Sequence, residues 1–471
     1  MKKNAISLIV LVITILVMAI LAATVIITLS NTNIINKAND VIEKNNKASE
    51  KEAINVAVAA SYLEGKGKIT TATLQKSMDE QFGSGSVEVE DAGSGAYTIT
   101  MKGTSNNVYT IESDKTITDG KYDKWDGSSV EEPTIEGTNM KIAKASQLKW
   151  LSNQVNAWNL YEGYTITLDT NVDLGASEEN GTWATTANEA VKWSPIGDTK
   201  ANTLKAKFDG QGHVVKGIYI SGNALFSGFF GNSSSIYNLT VRDGYMQVGH
   251  CSGGIVGSLR SGEIVNCHNI NVKVVGDGNY NNVGGIVGQA GLNDKTTVVN
   301  ISKSYNTGNV NGNDGVGGIS GKGGIVTNSY NTGNITGKDS KYGTGGIVGT
   351  SGTEGVNISL CYNSGTVTAP GEVGGISGYL GAQGKSAKVS QCYSKGNIVA
   401  TSTTNVGALV GNMGSDAAVT SSFFLSAVGV NTGIGAINDG GDLNAQNAGA
   451  KSTTADVKTY SEFTTWIKSQ N

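Results

Sequence analysis

Tyrosine side chains recur in this sequence at a spacing that could support ligand binding. They share one place in a repeated segment, Ser/Cys-Tyr-Asn/Ser-x-Gly, and are Tyr305, Tyr330, Tyr362 and Tyr393. If the repeats stack, an exposed ladder of these rings could bind sugars by ring stacking. The alternative is cross-strand packing, which is worth about 0.2–1 kcal/mol per pair. We therefore predict a tyrosine ladder and keep both roles, ligand binding and packing, open.

Three of the four cysteines follow the same repeat. Cys267, Cys361 and Cys392 occupy the place that Ser304 and Ser329 take in other copies. This exchange between serine and cysteine indicates a small, buried side chain. The alternative outside the cell is a disulfide between Cys361 and Cys392, because neighbouring coils can meet the required Cα separation of about 4.4–6.8 Å.

Other signatures of catalysis and metal binding are missing from the sequence. It contains no GxSxG, P-loop, HExxH or CxxC motif, and its three histidines lack ligand spacing. The acidic loops 311–315 and 438–442 do not follow known calcium-loop patterns. We predict no catalytic residue, no metal and no cofactor, and hence a non-enzymatic protein. A carbohydrate-active β-helix enzyme is the alternative, since such enzymes gather carboxylates from different coils, whose register the sequence does not show.

Composition narrows the class of partner. Charged residues make up 16% of the chain and the formal net charge is −4, unlike the basic surface of a nucleic-acid-binding protein. There are 65 glycines and 3 prolines, which indicates many tight turns, and no Gly-X-Y period indicates collagen. We expect an all-β body and no nucleic-acid partner.

A glycine-rich block repeats along the second half of the chain and must position the tyrosines. Its copies read Gly-Gly-Ile-Val/Ser-Gly, with one degenerate copy at the end, and lie at 253–257, 284–288, 317–321, 345–349, 374–378 and 407–411. A period near thirty residues built from short apolar runs and turns is typical of a solenoid. We predict a β-solenoid over residues 136–430. Stacked coils about 4.8 Å apart would place Asn306, Asn331 and Asn363 in an amide ladder.

These repeats resemble the GLUG family of bacterial surface proteins over roughly residues 250–425. The resemblance implies a parallel β-helical fold and an extracellular location, and it implies no particular activity.

The N-terminus carries a membrane-spanning signal. Residues 6–29 are uncharged and follow Lys2 and Lys3. At about 1.5 Å per residue this run spans roughly 36 Å, enough for a hydrocarbon core of about 30 Å. The lysines favour a cytoplasmic N-terminus, with the rest of the chain outside. A cleaved signal peptide is disfavoured because the apolar run continues beyond Ala23, whereas an uncleaved signal anchor stays open.

The residues around this junction resemble a type IV prepilin leader. Lys2-Lys3-Asn4-Ala5 precedes Ile6-Ser7-Leu8-Ile9-Val10. The resemblance implies a leader of residues 1–5 that is cut between Ala5 and Ile6, and it implies other pilin-like subunits as partners. Ala5 stands where the family usually has glycine, and Val10 where it has the glutamate that helps to register subunits. These two departures leave incorporation into a filament open. Membrane insertion does not depend on them and is expected from the apolar run at 6–29.

The predicted plan is a mainly β protein, with a β-solenoid head on a long N-terminal helix. Residues 6–64 form the transmembrane and extracellular amphipathic helix, and 65–135 a small helix and β-hairpin region with a linker. The solenoid follows, and 431–471 form an irregular segment with a capping helix at 460–468. We expect a membrane-anchored surface protein that contacts a glycan, host or matrix ligand. A purely structural cell-envelope protein is a further alternative.

Overall fold

The computed structural model describes residues 34–451, with gaps at 104, 200, 223–225, 277–281, 292–298, 340–341, 352–355, 382–386, 415–416, 426–428, 431 and 438–449. The predicted span 6–29, the junction of Ala5 and Ile6, and the helix 460–468 lie outside these residues. Within the described ranges, no helix has the length and apolar character to cross a membrane. The chain divides into two compact units, one up to Lys121 and one from Tyr122 onward.

The described part of the first unit, from residue 34 onward, consists of two helices and one antiparallel sheet. Its elements are α1 (Ile34–Glu64), α2 (Thr71–Phe82), β1 (Val87–Gly93), β2 (Ala96–Met101), β3 (Val108–Ile111) and β4 (Ile117–Asp119). Helix α1 agrees with the amphipathic helix predicted up to residue 64. The strands pair in chain order, so the sheet is wider than the hairpin predicted at 84–112. The sequence does not reveal β4, because this strand is three residues long and lies in a polar stretch.

A small apolar core joins the helices of the first unit to its sheet. The buried side chains come from all three parts and include Ile54, Val58, Leu74, Met78, Ile99 and Ile111. On α1, Glu50 accepts hydrogen bonds from the Tyr109 hydroxyl at 2.6 Å and from Asn107 Nδ2 at 2.9 Å. Burial acts to raise the pKa of Glu50, but these hydrogen bonds outweigh it and hold the pKa below its ordinary value. An ionised carboxylate thus ties α1 to the sheet.

The second unit begins earlier than predicted. Residues 65–135 were expected to include a linker, with the solenoid starting at 136. Instead, β5 (Tyr122–Lys124) pairs in parallel with a strand at Asn171–Asp173 and so belongs to the second unit. The division between the two units, at 121/122, thus lies before the predicted start of the solenoid at 136. The segment looks like a linker because it is rich in Asp, Gly and Ser, and a three-residue strand gives no detectable periodicity.

Two helices accompany the opening strands of the second unit. They are α3 (Ala145–Asn156), which buries Leu148, Leu151 and Val155 in the core, and the short α4 (Thr186–Ala190). The other opening strands are β6 (Thr134–Glu136), β7 (Asn139–Ile142), β8 (Thr165–Leu168), β9 (Asn171–Asp173), β10 (Leu204–Asp209) and β11 (Val214–Ser221).

The remaining strands wind into a β-solenoid of about eight turns, as predicted. The core sheet, begun by β6, β7, β8 and β10, continues through Phe230–Tyr237, Val256–Leu259, Gly262–Val265, Val287–Ala290, Val299–Ser302, Ser320–Lys322, Ile325–Thr327, Val348–Thr350, Asn357–Ser359, Ser377–Leu380, Ala387–Ser390, Val410–Met413, Ala417–Thr420 and Ile434–Ile437. The ladder sheet, which contains β5, β9 and β11, continues through Thr240–Val248, His268–Gly276, Tyr305–Asn306, Val310–Gly312, Tyr330–Asn331, Ile335–Gly337, Tyr362–Asn363, Val367–Ala369, Tyr393–Ser394, Ile398–Ala400, Ser422–Phe424 and Ala450–Lys451. The short sheet comprises Phe226–Ser227, Cys251–Gly253, Asn282–Gly284, Val316–Gly317, Thr344–Gly345, Val373–Gly374 and Val406–Gly407.

Equivalent residues of successive coils stand in register. Tyr305 pairs with Tyr330, and Tyr330 with Tyr362, so each coil repeats the pattern of its neighbour. The isoleucines and valines of the glycine blocks point into one continuous apolar core. Each coil therefore buries its apolar side against the next, which is how a solenoid is stabilised.

Glycine is required where coils approach closely. A Cβ at Gly333 would overlap the carbonyl oxygen of Gly308 in the preceding coil. A Cβ at Gly285 would overlap the side chain of Asn306. The repeated glycines thus leave room for neighbouring backbone and for a buried asparagine.

Candidate functional site

A ladder of buried asparagines lies beneath the candidate surface of the ladder sheet. Asn306 Nδ2 donates to Asn331 Oδ1 at 2.7 Å, and Asn331 Nδ2 donates to Asn363 Oδ1 at 2.8 Å. Each amide also donates to the glycine carbonyl two residues later in its own turn, at 2.8–2.9 Å. The predicted amide ladder is confirmed. It holds the turns of adjacent coils in one geometry, and Ser394 takes the asparagine's place in the next coil.

The cysteine and serine positions form a second buried column. Its members are Cys267, Ser304, Ser329, Cys361, Cys392 and Ser422. Each donates to the carbonyl two residues earlier, for example Ser304 Oγ to Ser302 at 2.9 Å and Cys361 Sγ to Ser359 at 3.1 Å. Cys361 and Cys392 are free thiols in this structure, so it does not contain the disulfide considered for them. Their position is the small, buried one that the exchange with serine indicates.

Burial makes two thiols of this column, Cys267 and Cys361, poor nucleophiles. It raises the pKa of Cys267 to about 12. It also raises the pKa of Cys361, and hydrogen bonding to the Cys392 thiol on the next coil adds to that shift. Because the thiolate is the reactive form, these groups are held in an unreactive state.

The tyrosines stack on one another as a continuous column. Ring centroids lie 4.7 Å apart for Tyr305 and Tyr330 and 4.8 Å apart for Tyr330 and Tyr362, with interplanar angles of 8° and 4°. His268 extends the column over Tyr305 at 4.0 Å. Tyr393 continues the register but is only 1% exposed.

This geometry decides between the two roles considered for Tyr305 and Tyr330. Both faces of each ring are covered by neighbouring rings, so a sugar cannot stack on them, and the accessible part of each ring is its edge. The interpretation that a sugar stacks on these rings is therefore wrong at these two positions. The ring faces pack against the aromatic rings of the neighbouring coils. His268 lies half-buried in the column, and this partial burial lowers its pKa to about 4, so its imidazole is neutral near pH 7.

The outward side of the ladder sheet nevertheless has a regular polar composition. On three consecutive coils the outward residues are Tyr305, Thr307, Asn309 and Asn311; Tyr330, Thr332, Asn334 and Thr336; and Tyr362, Ser364, Thr366 and Thr368. We call these twelve residues the polar face. All are half-buried or exposed and none carries a charge. The inward residues between them, such as Asn306 and Val310, are buried.

Hydrogen bonds between coils order the polar face. The Asn334 amide N–H donates to Asn309 Oδ1 at 3.2 Å, and the Thr366 N–H donates to Asn334 Oδ1 at 3.1 Å. The face thus offers aligned hydroxyl and amide groups that repeat at the coil spacing of about 4.8 Å. Such groups can exchange hydrogen bonds with a neutral, hydroxyl-rich polymer. Sequence reasoning singled out the tyrosines of the polar face but missed its outward threonine, serine and asparagine columns. The alternation of inward and outward residues in Tyr-Asn-Thr-Gly-Asn-Val was the signal for them.

Titratable groups lie elsewhere on the described solenoid. Glu372 accepts a hydrogen bond from Asn412 Nδ2 at 2.9 Å, and burial raises its pKa. Among the described residues, no group of three His, Cys, Asp or Glu side chains could hold a metal ion.

Comparisons with known proteins add little to this description. No protein-family model matches the chain, and no curated protein matches it. A similar solved structure is the crystal structure of a "putative immunoglobulin A1 protease" from Bacteroides ovatus. It is 19% identical, with a TM-score of 0.43, and the match covers 71% of this chain and 88% of that chain. This similarity is too low to carry a functional inference.

Proposed function

We propose that the protein is a non-enzymatic, pilin-like surface protein whose solenoid contacts neutral glycans or matrix polymers. The observation that carries this proposal is the polar face, with three coils of aligned, uncharged hydroxyl and amide groups. A repeating surface suits a repeating ligand, because each coil can add the same small contact and the contacts sum. The underlying asparagine ladder keeps the face rigid, which reduces the entropy lost on binding.

The proposed location rests on the N-terminal sequence and on the repeats. The run 6–29 would anchor the chain in the cell membrane, with the bulk of the protein extracellular. The prepilin-like junction supports cleavage between Ala5 and Ile6 and contacts with other pilin-like subunits. The GLUG-like repeats support the same side of the membrane. In the first unit, α1 packed on an antiparallel sheet agrees with a pilin-shaped stalk.

Mass-spectrometric mapping of the mature N-terminus tests the anchoring part. The proposal expects a chain that begins at Ile6. An intact Met1 would indicate a fixed signal anchor, and a chain beginning after Ala23 would contradict both forms of anchoring.

Lysine substitutions on the polar face test the binding part. Thr332→Lys with Ser364→Lys should still fold, because Lys395 already occupies the equivalent place in the next coil, with the same backbone hydrogen bond. Repulsion between the stacked ammonium groups should lower Tm only modestly, because the side chains are solvated. Binding of the full-length protein to neutral polysaccharides and matrix proteins should fall at least about tenfold, because the ammonium groups would have to be desolvated or displaced.

A matched control uses the outer side of the core sheet. Asn300→Lys with Asn357→Lys adds the same charge in a column where Lys388 is already present. This variant should bind as the wild type does. Release of reducing ends from a polysaccharide would instead favour the enzyme alternative, and a wild type that binds no member of the panel would favour a purely structural role.

A further inference from the structure

Trp158 occupies an unusual place at the end of α3. The helix ends with paired backbone hydrogen bonds, from Trp158 N to the Val155 carbonyl and from Asn159 N to the Gln154 carbonyl, both 3.0 Å. This is the Schellman arrangement, in which the residue at the Trp158 position has a left-handed backbone. The φ of Trp158 is +74°. Glycine is the usual residue there because it has no Cβ to strain the turn.

The Trp158 side chain is 64% exposed. A large aromatic group in a strained conformation therefore gains little from burial, and glycine would suit the turn better. Strained residues cluster at functional sites, and Trp158 combines the strain with a large exposed aromatic group.

The loop that carries Trp158 is held in place. Lys205 N donates to the Leu160 carbonyl at 2.9 Å, and Lys205 Nζ pairs with Glu162 Oε2 at 2.7 Å. Tyr161, whose φ is +53°, packs against Tyr164 with ring centroids 5.3 Å apart. The tryptophan is thus presented on a fixed loop, together with exposed polar groups.

We propose that Trp158 is a carbohydrate-binding platform on which a neutral pyranose ring stacks. A pyranose has an apolar C–H face and a rim of hydroxyls, which matches an exposed indole on a loop that also exposes the polar residues Asn159 and Glu162. The proposal rests on the proposed contact with glycans but assigns it to a surface separate from the polar face.

Trp158→Gly is the informative variant because it should separate folding from binding. The detergent-solubilised full-length protein would be tested on immobilised cello-, manno- and chito-oligosaccharides, with thermal unfolding measured in parallel. The substitution should weaken binding about tenfold or more while leaving Tm unchanged or higher. Trp158→Phe should retain part of the affinity, and Val130→Ala, which truncates another exposed apolar side chain, should retain all of it.

Three outcomes would overturn the platform. One is wild-type affinity in Trp158→Gly; if Thr332→Lys/Ser364→Lys still weakens binding, the proposed function stands without this site. Another is a clear fall in Tm for Trp158→Gly, which would show that the indole has a structural role. The third is a wild-type protein that binds none of the three oligosaccharides. If the wild type also binds no neutral polysaccharide and no matrix protein, the proposed function is overturned as well.

Discussion

Most of the conspicuous residues of the repeat are occupied with holding coils together. The asparagine amides bond to one another and to their own turns. The serine hydroxyls of the second column accept hydrogen bonds from backbone N–H groups of the preceding coil. The tyrosine faces cover each other. The groups of the repeat that are still accessible to a ligand are the outward hydroxyl and amide groups of the polar face.

Removing one asparagine of the ladder should be costly. Asn331→Ala deletes the donors to the Gly333 carbonyl and to Asn363 Oδ1, and it leaves Asn306 Nδ2 without its acceptor on Asn331. Loss of buried hydrogen bonds with a partner left behind should lower the free energy of unfolding by about 2–4 kcal/mol. Chemical denaturation would measure this. Thr332→Ala, one residue further and exposed, is the control and should change stability by less than about 0.5 kcal/mol.

The buried thiols should make the protein sensitive to alkali. The pKa of Cys267 is raised to about 12 in the folded state. The contribution of this protonated thiol to the free energy of unfolding is therefore complete below the unfolded pKa of about 8.5, and it is lost as pH rises towards the folded pKa. Cys267→Ser should fold, since Ser304 fills the next place in the column. Relative to this variant, wild-type stability should drop by about 1.4 kcal/mol between about pH 7.5 and about pH 9.5. Parallel pH curves for the two proteins would contradict the burial of this thiol.

At the scale of the coil, one corner repeats with a left-handed backbone. Asn238, Asn266 and Asn328 occupy it with φ values of +52°, +56° and +48°. Asn266 Nδ2 also donates to Asn238 Oδ1 at 2.9 Å. Leu360 takes the same corner with φ +54°, where a branched apolar side chain is unfavourable.

Leu360→Asn should therefore stabilise the solenoid. Asparagine tolerates this conformation better than leucine, and the gain should be about 1 kcal/mol, seen as a higher Tm. Leu360→Ala is the control, because alanine keeps the Cβ penalty and cannot bond to a neighbouring corner. A Tm for Leu360→Asn at or below that of Leu360→Ala would contradict the assigned corner geometry.

The sequence was sufficient for the repeating elements and insufficient for the isolated ones. Glycine blocks and the Asn column predict the solenoid and its ladder, because a repeated position must occupy the same place in every coil. The strands Ile117–Asp119 and Tyr122–Lys124 give no such signal, and the division between the two units falls between them. Whether aligned tyrosines cover each other's faces depends on their side-chain rotamers. The spacing of the tyrosines in the sequence does not determine these rotamers.

At the scale of the whole molecule, we propose that an anchored solenoid presents one uncharged face to a polymeric ligand. Folding and binding are largely separable in this design, because stability resides in the buried columns and the apolar core. Substitutions on the polar face should accordingly alter adhesion without altering the fold. Substitutions in the asparagine ladder should lower stability and, because they loosen the face above them, should weaken adhesion as well.

The most direct test is the binding of three full-length proteins to the same panel of neutral polysaccharides and matrix proteins. These are the wild type, Thr332→Lys/Ser364→Lys on the polar face and Asn300→Lys/Asn357→Lys on the core sheet. We predict that all three proteins fold, with modestly lower Tm values in the two lysine variants and at least about tenfold weaker binding for the polar-face variant alone. Equal binding by all three proteins, or equal loss in both variants, would contradict the assignment of ligand contact to the polar face.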